Sequence, residues 1–159
     1  MKTIHFLDLT ETSVGIILHG VNCQGVMGAG IAYALKNKYP RIETNYRFLC
    51  QHAPNPYTLL GEIDVVEMSP HLFIVNCFTQ NFFGFHSDRP PASYSAIHEC
   101  LLKVVEFSMY HRDLPIYMPQ IGCGLGGLEW DIVNDIVEYV ENKYKVLINV
   151  CDLPRNKPI

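Results

Sequence analysis

Residues Ser13–Tyr39, SVGIILHGVNCQGVMGAGIAYALKNKY, decide the fold. Val14–Leu18 is an apolar, β-branched run, too short for an independent helix and bounded by turn residues, so it reads as a buried strand. His19, Asn22, Cys23 and Gln24 follow where that strand is expected to leave the core. Gly25, Gly28 and Gly30 flank Met27 and Ala29, and from Ile31 the pattern is helical. Backbone N–H groups at such a glycine-rich helix start are donors for an anion, and glycine lets the chain approach a phosphate closely. The simplest functional reading is a site for a phosphorylated ligand; the plain alternative is a tight strand-to-helix connection. The order G-x-G-x-x-G is absent, and no lysine–serine pair follows the glycines, which argues against a dinucleotide fold and an ATP-hydrolysing P-loop.

Outward from that stretch, residues 3–9 form a first expected strand ending near Asp8, which is read either as a turn former or as a ligand contact. A helix is expected over Gly30–Lys38. A second short one follows Pro40 through Phe48, with Tyr46 and Arg47 on the surface. Tyr57–Met68 and His71–Phe78 read as adjacent strands, the second continuously apolar and therefore central. Thr79–Pro91, TQNFFGFHSDRPP, is an aromatic loop that suits either stacking on a base or a small satellite core. Ala92–Tyr110 is an amphipathic helix carrying His98, Leu114–Met118 a strand, Asp131–Asn142 a helix and Tyr144–Val150 a last strand. Between the last two of these strands lies a second glycine loop, Pro119–Trp130, PQIGCGLGGLEW.

Alternating strands and helices predict an α/β fold: a mixed, mainly parallel sheet with helices on both faces. Both glycine loops follow strands and precede helices, so both can converge at the carboxyl edge of the sheet, where ligands of such folds bind. One loop seats one phosphate; two suit a diphosphate. The 159 residues make one domain, expected over 1–152, with a tail at 153–159. With 48% hydrophobic and 18% charged residues the composition is that of a globular protein. No apolar run reaches membrane-spanning length and no signal peptide is visible, so a cytosolic protein without membrane attachment is expected. A formal charge of −4 without a basic block argues against broad nucleic-acid binding. The six cysteines contain no C-x-x-C pair, so zinc ligation is not expected and buried, reduced thiols are. Nothing demands an oligomer, and a monomer is expected.

Taken together, H-G-V-N-C-Q-G-V-M-G-A-G-I-A at 19–32 and I-G-C-G-L-G-G-L-E-W at 121–130 resemble the macrodomain family of ADP-ribose-binding modules. The resemblance implies a three-layer α/β/α sandwich that binds an ADP-ribose derivative without a metal or other cofactor. It places Asp8 at the adenine amino group and Asn22 at the distal ribose, and counts Leu9 among the substrate-binding residues. The diphosphate falls to Gly28, Ala29, Gly30 and Ile31 together with Gly122, Cys123, Gly124, Leu125 and Gly126. A carboxylate is an acceptor matched to the adenine amino donors, and a carboxamide can both donate to and accept from ribose hydroxyls. The family includes readers, ADP-ribosyl hydrolases and ADP-ribose 1″-phosphate phosphatases. The glycohydrolase and antitoxin branch carries a lysine after the central strand, where this chain has Gln80 or Asn81, and an aspartate in the second loop, where Gly126 stands. Neither replacement can form a Schiff base or act as a general base. The phosphatase branch is similar in carrying a histidine just before N-C-x-G, which makes His19 the expected nucleophile or general base. The implied activity is hydrolysis of ADP-ribose 1″-phosphate, with a non-catalytic reader or an ADP-ribosyl hydrolase as alternatives.

Overall fold

The computed structural model describes residues 2–5, 7–82, 91–124 and 126–152. Leu125, the tail at 153–159 and most of the aromatic loop lie outside them. Among the described residues six strands form one sheet: β1 (Lys2–His5), β2 (Gly15–Asn22), β3 (Ile63–Ser69), β4 (Leu72–Gln80), β5 (Ile116–Pro119) and β6 (Ile148–Asp152). Their spatial order is β1-β6-β5-β2-β4-β3, and every neighbouring pair is parallel except the β3–β4 hairpin. The helices are α1 (Gly30–Lys38), α2 (Arg41–His52), α3 (Tyr94–Ser108) and α4 (Trp130–Tyr144).

Period-two alternation splits the strand side chains between two cores. Ile17 and Val21 of β2, with Ile74 and Phe78 of β4, meet Leu35 of α1 and Ile42, Tyr46 and Cys50 of α2. Ile16, Leu18, Val75, Cys77, Ile116, Met118 and Val150 point the other way, onto Ile97, Leu101 and Val104 of α3 and Val133 and Val137 of α4. Both faces of the central strands are covered, which is why β4 is an unbroken apolar run. Each fully buried aliphatic side chain here contributes about 1.5–3 kcal/mol relative to exposure. The result is the expected three-layer α/β/α sandwich.

Local chemistry sets the boundaries. The Ser93 hydroxyl accepts from the Ala96 amide at 3.2 Å and starts α3. Lys145, at φ 56°, takes the left-handed conformation that ends α4. Some expected boundaries need correction, among them the last strand, which is Ile148–Asp152 because α4 runs on through Tyr144. Tyr57–Met68 is not one strand: a 3-10 turn over Pro56–Leu59 and Gly61, at φ 89°, intervene before β3. The strand at Val14–Leu18 also runs further, to Asn22, because Gly20 continues the ladder opposite Cys77 instead of turning out of it.

Candidate functional site

β2 and β5 are neighbours, and the chain leaves them in opposite directions. After β2 it passes to α1 and α2 on one face; after β5 it passes to α4 on the other. The crevice between their carboxyl ends is therefore a topological switch point, and both glycine loops border it.

The first loop begins at a register shift between Val21 and Asn22. Asn22 is 5% exposed, and its carboxamide closes the turn that follows. Its Oδ1 accepts from the amides of Gln24 at 3.0 Å and Val26 at 3.4 Å, while its Nδ2 donates to the Val26 carbonyl at 2.7 Å. The Cys23 amide is shared between the carbonyls of Gln80 and Asn81 at the end of β4. The donors at 23, 24 and 26 are thus consumed within the fold. Further along the arrangement reverses. The first intrahelical bond of α1 runs from the Tyr33 amide to the Ala29 carbonyl, so the amides of Gly30, Ile31 and Ala32 precede it, and no side chain caps this end. Gly28 and Ala29 are exposed, and Gly30 and Ile31 half-exposed, so this donor array is open to solvent. Gly30, at φ 62°, takes a conformation that a side chain would strain.

The second loop is braced from within: the Leu128 amide donates to the Gly122 carbonyl at 2.8 Å and the Gly127 amide to the Gly124 carbonyl at 3.1 Å. The Ala92 amide, just before α3, donates to the Gly126 carbonyl at 3.3 Å. Gly122 and Cys123 are half-buried and Gly124 exposed, while Gly126 is buried beneath them. Burial pushes the Cys123 thiol up to about 11, and its Sγ lies 3.4 Å from the Ile121 carbonyl, so it is no ready nucleophile.

Asp8 sits beyond the end of β1, not at it, and caps a 3-10 turn over Leu9–Glu11. Its Oδ1 accepts from the amide of Thr10 at 2.9 Å and from the Thr10 hydroxyl at 2.6 Å. Leu9 is wholly buried beside α1 and packs in the same core as Leu35. Asp8 still lies on the carboxyl edge, because β1 is parallel to its neighbour.

His19 is where the structure departs most from the sequence reading. It is not at the strand end but inside β2, paired in register with Asn76, and 0% exposed. Its Nε2 lies 2.6 Å from Asn76 Oδ1. Both Nδ2 hydrogens of Asn76 are committed, to the Ile42 carbonyl at 3.0 Å and to Asp64 Oδ2 at 3.1 Å, so the oxygen must face the imidazole. Nε2 therefore carries the proton and donates it. Nδ1 has no partner among the described residues. Desolvation lowers the imidazole from 6.5 to about 4, the bond to Asn76 opposing only in part. The ring lies sealed between sheet and helix, not at the open strand end from which a nucleophile or general base was expected to act.

Tyr46, expected on the surface, is the largest fully buried side chain among the described residues, and its hydroxyl reaches both the Asn22 carbonyl at 2.8 Å and Asn22 Oδ1 at 2.7 Å. The signal was present in the i, i+4, i+8 spacing of Ile42, Tyr46 and Cys50.

The sequence profile of the macro domain matches residues 18–137. The chain belongs to the macro domain family. This macrodomain is 33% identical over 133 residues to an uncharacterised 17.5 kDa protein of Enterobacteria phage T4, 83% of either chain being covered. It is 28% identical to the ADP-ribose 1″-phosphate phosphatase of Scheffersomyces stipitis, covering 91% of each. To the DNA ADP-ribosyl glycohydrolase of Mycobacterium tuberculosis it is 27% identical, and it spans about a third (34%) of that protein. Among solved structures, a Bacteroides thetaiotaomicron protein of unknown function superposes with a TM-score of 0.83 at 27% identity, over 96% of this chain and 99% of the other. The macrodomain of Mycobacterium tuberculosis DarG gives 0.75 at 24% identity, over 95% and 98%, a likeness of fold.

Within this macrodomain the glycine at 126 is a steric necessity. A Cβ there would lie 2.6 Å from the Gly122 carbonyl oxygen and 2.9 Å from Gly122 Cα. The loop as folded has no room for the aspartate of the glycohydrolase branch. Gln80, the other departure, turns its Nε2 to the Phe82 carbonyl at 2.9 Å. Among the described residues no group of three His, Cys, Asp or Glu side chains converges as a metal site, and no helix is long and apolar enough to cross a membrane.

Proposed function

We propose that this macrodomain binds ADP-ribose derivatives in the crevice between β2 and β5 and hydrolyses ADP-ribose 1″-phosphate to ADP-ribose and phosphate. The observation that carries the reading is the pair of glycine loops over that crevice, the first presenting amides that the fold itself does not use. In this reading Gly28–Ile31 and Gly122–Gly126 hold the diphosphate through backbone donors, which cost no reorganisation when charge develops on phosphorus. Asp8, on the same edge, meets the adenine amino group. Asn22 shapes the first loop, with the ribose beside it. The choice of phosphatase over glycosyl hydrolase is supported by the near full-length likeness to the yeast phosphatase and by the replacements at Gln80 and Gly126. Water attacks phosphorus, the bond to the anomeric oxygen breaks, and that oxygen leaves with a proton as the hydroxyl of ADP-ribose. His19 enters as a neutral support of β2.

The test is phosphate release from ADP-ribose 1″-phosphate by the wild-type chain, by His19→Gln and by Gly122→Val. Gly122 has φ 80°, and a Cβ there would meet Leu128 Cδ1 at 3.0 Å, so valine should disturb the second loop and abolish turnover. His19→Gln should keep turnover within a few-fold. Turnover lost in that variant while ADP-ribose still binds would return His19 to the catalytic role. No release by the wild-type chain would sink the phosphatase reading. Binding of ADP-ribose alone would then mark a reader, and release of ADP-ribose from modified DNA a glycohydrolase.

A further inference from the structure

We infer that Tyr46 of α2 is a positioning residue: its buried hydroxyl holds Asn22 and so determines which amides of the first glycine loop are spent inside the fold and which face the ligand. The inference rests on the proposed binding of the diphosphate by that loop. A phenol has one proton and two lone pairs, yet the Tyr46 oxygen stands within 2.8 Å of both the carbonyl and the Oδ1 of Asn22. It donates to one at a time, so the single proton is shared between two acceptors of the same residue. Burial pushes the phenol far above its ordinary range and keeps it protonated, so the donor is permanent.

The consequence for the loop follows from counting donors. Asn22 Oδ1 already gathers the amides of Gln24 and Val26, and its Nδ2 holds the Val26 carbonyl. With the carboxamide pinned by Tyr46, residues 22–26 form a closed knot. The chain emerges from it through buried Met27 with the donors of Gly28–Ala32 still to satisfy. Without the phenol, the carboxamide can rotate, and the knot and the donor array no longer keep a fixed relation.

Tyr46 is itself rigidly placed. Its ring packs on Phe78 at 5.7 Å between centroids. The helix that carries it is tied to the sheet by Asn76 Nδ2 at the Ile42 carbonyl and by Asn45 Nδ2 at Asp64 Oδ1, 2.7 Å away. A tyrosine serving only as core filling would be replaceable by phenylalanine at no cost to the ligand. A positioning tyrosine would not be.

The experiment compares wild-type protein, Tyr46→Phe and Ile42→Val. The last is a buried change on the same helix that lowers stability without touching the loop. Calorimetry with ADP-ribose, well below every unfolding temperature, should show about tenfold weaker binding for Tyr46→Phe and unchanged affinity for Ile42→Val. Amide hydrogen exchange without ligand should show at least about tenfold faster exchange at residues 24–26 in Tyr46→Phe alone, with β2 and β4 unaltered. Equal affinities, or weakening shared by both variants, would overturn the inference. If the wild-type chain fails to bind ADP-ribose, the function proposal fails by itself. Exchange then decides: acceleration confined to 24–26 supports the positioning role, and unchanged exchange overturns it.

Discussion

The sealed state of His19 makes a quantitative claim about acid. Folding lowers its imidazole from 6.5 to about 4, so between those values the unfolded chain holds a proton that the folded chain lacks. The contribution is fully present above the unfolded value and is lost as pH falls through the window towards the folded one. For these two values, the stability attributable to His19 falls by about 2.5 kcal/mol between about pH 7.5 and about pH 4.5. That is a large share of the roughly 5–15 kcal/mol by which domains are stable. A variant at this one position isolates the effect. In His19→Gln the side-chain amide can still donate to Asn76 Oδ1 but cannot take up a proton. Urea unfolding of both proteins at the two pH values gives a double difference, expected at about 2.5 kcal/mol with wild type the more acid-sensitive. Parallel pH dependence in the two proteins would refute the burial argument, and with it the case against His19 as a base at neutral pH.

Three further outcomes follow from the same geometry. Asn76→Ala removes the acceptor of His19 and a donor to both Ile42 and Asp64, and should cost about 3 kcal/mol in denaturant unfolding; a loss below about 1 kcal/mol would mean that the buried chain of side chains is slack. Gly126→Asp, even combined with Gln80→Lys, should fail to release ADP-ribose from modified DNA and should lower the melting temperature by several degrees, roughly the effect of 1–3 kcal/mol; a stable and active double variant would contradict the steric argument at Gly122. Cys123 should react with a thiol reagent at neutral pH more slowly than a free cysteine, since its thiol stays protonated up to about 11, and rapid labelling that ADP-ribose suppresses would overturn that.

What the sequence disclosed depended on whether a residue's surroundings were local. The helix over Gly30–Lys38 was read with its observed ends, because a glycine at its start and Pro40 beyond its end are punctuation within the chain itself. The two glycine loops and their shared edge followed from alternation and parallel pairing. His19 was misplaced because the apolar run stops at Leu18, whereas in the sheet the strand continues through Gly20, which lets Thr79 pack against β2: a Cβ there would lie 2.6 Å from Thr79 Oγ1. That a buried tyrosine holds Asn22 could not be read, since Tyr46 lies 24 residues away across a helix. The steric reason for Gly126 was likewise invisible, because it lies in the backbone of Gly122 as the folded loop presents it.

The pairing of the two terminal strands has a mechanical consequence. β1 and β6 are parallel neighbours joined over four residue pairs, Lys2 with Asn149 through His5 with Asp152. A pull on the chain before β1 and after β6 draws the two strands past each other along their length. The evenly spaced ladder between them is then loaded as one unit in shear instead of opening pair by pair like a zipper. Stretching single molecules by the two ends should therefore give a high first rupture force, and a pull through a residue in β3 and the end of β6 a lower one.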